Sequence, residues 1–393
     1  VAVEPGSRRL RAALTAFFAL DGFVFAGWVV RIPAVKEQTG ASSSALGLAL
    51  LGVSLGAVVT MMLTGRLCQR FGARPVTVGA ALVLAASVAL PPHAGSPLVL
   101  GLVLLLFGAA FGALNVAANS AAVELVAALG RPVMPSFHAA YSLGGMLGAG
   151  VGGLVAGQVS AARHLGALAV LGVAMVAVAA RFLLSAAAPG GQAPDGATGA
   201  RATAEPGSGG AETRWLVLVL GLIALCTAYG EGALADWSAL HLRESLGANA
   251  GLAAAGYSVF AMAMTVGRLT GSALLERLGQ TRALVAGGAT AAVGMLLGAL
   301  GPTVWLVLLG FVITGLGLAN IFPVAIGRAG ALAGAQGVAA ASTLGYGGFL
   351  LGPVAIGFLA DWFSLATAMT TVALLAAVAA ATAQLARRRI QSD

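Results

Sequence analysis

Charge is what this sequence has least of. Asp, Glu, Lys and Arg make up 9% of its 393 residues, against about a quarter in a water-soluble domain. With 59% hydrophobic residues and a mean hydropathy of +0.96, too little polar surface is left to cover a soluble fold, and that class is excluded. Cysteine is nearly absent too: Cys68 and Cys226 stand in different halves, which excludes a disulfide framework and a cysteine-built metal site. The four histidines, His93, His138, His164 and His241, are scattered. They form no metal spacing and no pairing of nucleophile with base, so no enzyme, cofactor or metal is expected. No Gly-x-x-x-x-Gly-Lys-Ser/Thr run occurs, which argues against direct use of ATP. The net charge of +8 is not gathered on a soluble face, so no nucleic-acid partner is expected.

What the chain has in abundance is apolar runs. A bilayer core about 30 Å thick needs about 20 apolar residues per helix, and charges and turn residues divide this sequence at that interval into twelve segments. They cover residues 10–31, 44–65, 75–93, 98–122, 135–157 and 164–185, then 215–237, 252–274, 282–301, 303–326, 338–360 and 365–386. The first follows Arg8, Arg9 and Arg11 and continues to Val30, too long for the core of a cleavable signal, so it is expected to stay in the membrane. Residues 185–214 break the pattern with prolines, glycines and charges in no apolar period, the composition of a solvated linker. The expected organisation is an N-terminal six-helix bundle over 1–184, a flexible cytoplasmic linker over 185–214 and a C-terminal six-helix bundle over 215–393.

Basic residues set the sidedness. With the N-terminus inside, 16 of the 21 Lys and Arg fall in cytoplasmic segments, Arg31, Lys36, Arg163 and Arg243 fall outside, and Arg268 lies within a span. That asymmetry predicts an even number of spans with both termini and the linker cytoplasmic. The halves also repeat. Gln69-Arg70-x-Gly72 stands against Glu276-Arg277-x-Gly279 at an offset of 207 residues, and Asn115 of the fourth span stands against Asn320 of the tenth. Two homologous six-helix bundles describe a transporter that rocks about a site between them.

The stretch Gly65-x-x-x-Gln69-Arg70-x-Gly72-x-Arg74 resembles the loop motif of the major facilitator superfamily, whose usual form has Asp where this chain has Gln69. Three further stretches, GWVVRIPAVKEQTG from Gly27, GALNVAANSAAVE from Gly112 with GRPVMPSFHAAYSLGG from Gly130, and EGALADWSALHLRESLG from Glu231, resemble the fucose-permease-like branch of bacterial transporters. The resemblance implies an all-α membrane protein of the major facilitator fold, twelve transmembrane helices in two pseudo-symmetric bundles, in a bacterial inner membrane. Relatives of that branch carry acids at the positions of Asn115 and of the apolar segment around Val29. Coupling through those two acids therefore does not carry over to this chain.

The residues themselves suggest where the chemistry lies. Asp21 is about 15 Å into the first span, near the midplane, where a carboxylate costs about 3 kcal/mol to insert and should meet a cavity or a partner. It shares a helix face with Phe25 and Trp28, which suits a proton or substrate site; a carboxylate tied into packing is the other reading. In the fourth span Gly108, Gly112, Asn115 and Asn119 share a face, and amides that donate and accept suit a neutral polyhydroxyl or amide solute or, equally for Asn119, hydrogen bonds between helices. Asn320 is the repeat partner of Asn115. His138 and Tyr141 occupy one face of the fifth span as solute contacts or packing residues. Glu231 lies about 24 Å up the seventh span and is a second coupling or binding acid. Asp236, near the outer surface, reads either as a partner of Arg31 or Arg243 in an outer gate or, equally, as an interfacial charge beside the aromatic anchor Trp237. Gly65, Arg70, Gly72 and Arg74, with Glu276, Arg277 and Gly279, read as conformational residues of the cytoplasmic loops: charges that hold one state and glycines that permit a tight turn.

The expected function is secondary active transport of a small polar organic solute, sugar-like or another metabolite, by a monomer in the lipid bilayer, with protons as a candidate partner. Drug or metabolite efflux is the alternative within transport, and a transport-like sensor without flux is the alternative outside it.

Overall fold

The computed structural model describes residues 5–129, 133–185 and 211–387. Most of the expected linker, residues 186–210, lies outside them. The described residues are helical throughout, joined by short turns and one 3-10 turn, Pro91–His93. In unit 1 the helices are α1 Pro5–Val29, α2 Ile32–Thr39, α3 Ser43–Phe71, α4 Ala73–Ser87, α5 Pro97–Leu129, α6 Met134–Val155 and α7 Ala161–Ser185. There follow α8 Ala211–Leu246, α9 Ala250–Leu269, α10 Gly271–Leu278, α11 Gln280–Leu300, α12 Val304–Leu318, α13 Ile321–Trp362 and α14 Leu365–Leu385.

Eleven helical stretches among the described residues are long and apolar enough to cross a membrane. The expected fifth span is the helix α6 but is not one of the eleven; its glycines, with His138, Tyr141 and Ser142, dilute its apolar character. Several helices outrun the segments read from hydropathy. Charged residues that end an apolar run do not end a helix, because the backbone hydrogen-bond ladder continues into the aqueous layer at little cost. Thus α3 runs on through Arg66 and Arg70, and α8 extends 36 residues to Leu246. Asp236 and Trp237 therefore lie well inside α8, and Trp237 is wholly buried (0% exposed).

Two compact units emerge from the packing: residues 1–193 with 249–258, and residues 194–248 with 259–393. In lipid no hydrophobic force draws helices together, so close backbone approach over small residues has to do it. In unit 1, α1 packs on α6 with Gly22 against the Tyr141 carbonyl and Gly148 against that of Phe23. The pair α3–α5 meets through Gly52 and Gly56 on one side and Gly108 and Gly112 on the other. The first turns of α9 add Ala254 to a cluster of Ala26, Val30 and Ala149. In unit 2, α8 packs on α13 with Gly348 against the Leu225 carbonyl, and α11 on α12 with Gly310 against Gly298.

The repeated loop motif adopts one geometry twice. Gly72 ends α3 and begins α4 with φ +85°, and Gly279 ends α10 and begins α11 with φ +74°. Each donates its backbone N–H to the carbonyl four residues earlier, Cys68 or Leu275, and then turns into the left-handed region that residues with a Cβ rarely enter.

Candidate functional site

Asp21 occupies the interior of unit 1. It is 3% exposed, and its Oδ1 has no hydrogen-bond partner among the described residues. Around it on the same face of α1, Trp28 is 1% exposed and Phe17 1%, while Phe25 is half-buried and packs on Phe111 of α5 with ring centroids 5.1 Å apart. The stripe drawn from the sequence is therefore a packed apolar helix face with one carboxylate in it. Trp28, fully buried, offers no face to a solute.

The neighbouring helices contribute less freely than their residue types suggest. Asn119 spends its amide N–H on the Asn115 carbonyl of its own helix, 2.8 Å away. The Asn115 side chain is half-buried and makes no hydrogen bond among the described residues, so both its donor and its acceptor are available. On α6, His138 is exposed and lies edge-on to Phe18 at 5.5 Å. Tyr141 is half-buried where α6 crosses α1 at Gly22.

Arg31 stands in the turn between α1 and α2. Its Nε donates to Nδ1 of His164 at 2.9 Å, and its terminal nitrogens donate to the carbonyls of Ala156 and Val155 at 3.3 and 3.5 Å, where α6 ends. The guanidinium is 2% exposed, and burial lowers its pKa. Arg31 thus caps the negative end of α6 and is hydrogen-bonded to His164 within unit 1. Asp236 itself is half-buried with no ion pair or hydrogen bond among the described residues.

Unit 2 holds its own polar centre. Glu231 of α8 accepts from Nη2 of Arg268 of α9 at 2.9 Å, with side chains 21% and 47% exposed. Arg268 Nε also donates to the Ala319 carbonyl at 3.4 Å. Asn320 stands in the break between α12 and α13 and gives its amide N–H to the Gly267 carbonyl at 2.9 Å. Its repeat partner Asn115 lies in an unbroken helix, so the two amides occupy different local structures. Reading the sequence for acids found Glu231 and overlooked its partner; the available signal was that Arg268 is a basic residue inside an apolar span. Also unforeseen is the C-terminal part of α8, where Trp237 Nε1, Ser238 Oγ and His241 Nδ1 are buried without partners among the described residues, while His241 Nε2 meets the Gly298 carbonyl at 3.1 Å.

The loop residues lie apart from these centres. Arg70, Glu276 and Arg277 are exposed, Arg70 resting over the Phe71 ring at 5.2 Å. Arg74 is half-buried beside the Gly72 turn. A Cβ at Gly65 would meet nothing within 4 Å. No three His, Cys, Asp or Glu side chains among the described residues are grouped to hold a metal ion.

Long apolar helices packed through glycine, with few charges buried between them, define a multi-pass membrane protein. Residues 12–274 match the family model of the Major Facilitator Superfamily, and the chain belongs to that family. It is a secondary-active transporter of small molecules and not an enzyme. An uncharacterized MFS-type transporter of Yersinia pestis is 34% identical over 98% of both chains. The uncharacterized transporter y4wD of Sinorhizobium fredii is 35% identical over 93% of this chain and 95% of its own. Among solved structures, a bacterial homolog of the human lysosomal transporter Spinster superposes with a TM-score of 0.79 at 15% identity, over 100% of this chain and 99% of that one, which shows the fold alone.

Proposed function

We propose that this protein is a proton-coupled carrier of a small, polar, uncharged organic solute, sugar-like or a related metabolite, and that Asp21 is its proton site. The observation that carries the reading is the buried carboxylate of Asp21 without a hydrogen-bond partner among the described residues. An ionised carboxylate so placed costs about 3 kcal/mol even on lenient scales, and natural interiors seldom keep an unsatisfied polar group without a use for it. A group that takes up a proton in one state and gives it up in another is such a use. Asn115, with donor and acceptor both available, supports a neutral hydrogen-bonding solute.

In this reading the chain works by alternating access of two six-helix bundles, 1–184 and 215–393, built from twelve spans and joined by the cytoplasmic linker 185–214. It acts as a monomer in a bacterial inner membrane with both termini inside. The stretches from Gly27, Gly112, Gly130 and Glu231 support a place in the fucose-permease-like branch. The direction of net flux follows the gradients, so export of a metabolite uses the same machinery. The test is flux: purified protein in proteoliposomes, an imposed inward proton gradient, and a panel of labelled neutral, anionic and cationic solutes. Uphill accumulation of a neutral solute that collapses with a protonophore is the expected result. Accumulation of cations alone, or flux indifferent to the proton gradient, overturns the proposal, and absence of flux with retained binding points to a sensor.

A further inference from the structure

Two helices of unit 2 are interrupted, and the interruptions are stitched to each other. α9 stops at Leu269 and α10 starts at Gly271; α12 stops at Leu318 and α13 starts at Ile321. Across the gap, the Arg268 side chain donates to the Ala319 backbone carbonyl at 3.4 Å, and the Asn320 side chain donates to the Gly267 backbone carbonyl at 2.9 Å. Adjacent residues of each strand of chain thus exchange side-chain-to-backbone hydrogen bonds. The approach is tight. A Cβ at Gly267 would lie 2.6 Å from the Ala319 Cβ, and one at Gly271 would strike the Asn320 amide. A third helix enters through Glu231, whose Oε1 holds Arg268 Nη2 at 2.9 Å.

The energetics make Glu231 the control point. Helix ends leave backbone carbonyls without partners; the Ala319 carbonyl, which Pro323 four residues on cannot serve, accepts from Arg268, and the Gly267 carbonyl accepts from Asn320 at 2.9 Å as well as from the Thr270 hydroxyl at 3.3 Å. A guanidinium on a flexible stem keeps such a bond only if something orients it, because ordering a long side chain costs conformational entropy. The Glu231 carboxylate provides that orientation with a charge-assisted bond. Beyond the break, α10 is eight residues long and ends at Gly279, the turn of the repeated cytoplasmic motif.

We propose that Glu231, Arg268 and Asn320 form a clasp that sets the position of α10 and of the first turns of α13, with Arg268 as the positioning residue. Loss of the negative charge at Glu231, or its capture by a ligand, frees Arg268, loosens both breaks and lets α10 swing with its loop. The clasp operates on the protein alone, so its test needs no solute and stands independently of the transport reading.

The test is hydrogen exchange by mass spectrometry on the full-length protein in detergent micelles or nanodiscs. Arg268→Gln is expected to speed exchange about tenfold across 270–279 and 321–326, the size of effect that losing a charge-assisted hydrogen bond implies. Glu231→Gln, at a residue outside both segments, is expected to do the same, and the double variant no more than either single one, since both act through one link. Exchange in α14 stays unchanged. If Arg268→Gln does not fold, Arg268→Lys keeps the charge for Glu231 but not the fork that also reaches Ala319, and the rise is then confined to 321–326. Unchanged exchange in Glu231→Gln, additive effects in the double variant, no rise in Arg268→Lys, or a uniform rise that includes α14 overturns the clasp.

Discussion

Arg31 and His164, 133 residues apart in the chain, meet inside unit 1 through an Nε–H···Nδ1 hydrogen bond of 2.9 Å, and both side chains are buried. The bond requires the Nδ1 lone pair, so the imidazole is neutral with its proton on Nε2. His164→Phe keeps the ring volume but leaves a buried guanidinium one acceptor short. It is expected to lower stability by about 1–3 kcal/mol, read as a fall in Tm in detergent. His164→Gln, which restores an acceptor, recovers part of it. Wild-type stability in His164→Phe would show that the bond contributes nothing.

Asp21→Asn imitates the protonated acid. For a proton-coupled carrier, uphill accumulation disappears while exchange of solute across the membrane continues, because the neutral side chain still permits the conformational cycle. Loss of binding and exchange together would mean that Asp21 contacts a cationic solute. Normal accumulation would remove Asp21 from the mechanism.

The motif turns predict a contrast between glycines. Gly72→Ala and Gly279→Ala place a Cβ at φ of +85° and +74°, a cost of about 1–2 kcal/mol each, while Gly65→Ala in the C-terminal part of α3 meets open space and gains about 0.5–1 kcal/mol of helix propensity. Thermal unfolding of the three variants is expected to show two falls and one rise. A fall for Gly65→Ala as large as the other two would mean that α3 needs close approach there.

The linker gives a topological test. Protease added to sealed right-side-out vesicles is expected to spare residues 185–214, and protease added to inverted vesicles to cut there. Cleavage from the outside alone would reverse the orientation argued from the basic residues.

Much was legible because the membrane imposes one-dimensional rules. Apolar length alone marks a span, so α1, α3, α5, α7, α11 and α14 lie close to where hydropathy puts them. The repeated motif gave Gly72 and Gly279 one backbone geometry, since a sharp turn between helices leaves few conformations open and all favour glycine. The candidate site was read less well, and for a definite reason. Hydropathy detects an isolated charge but not its partner. It marked Glu231 without showing that Arg268 answers it from α9, and it marked Arg31 without showing that His164 and the carbonyls at the end of α6 accept from it.

Composition and pattern by themselves determined that this chain is a bundle of long apolar membrane helices, because insertion depends on summed transfer energies along the chain and hardly on contacts. Only the tertiary structure decided which polar groups are satisfied. Hydrogen bonds reach about 3 Å and depend on angle, so the orphaned carboxylate of Asp21, the committed guanidinium of Arg31 and the stitched breaks at Arg268 and Asn320 follow from how helices distant in sequence pack face to face.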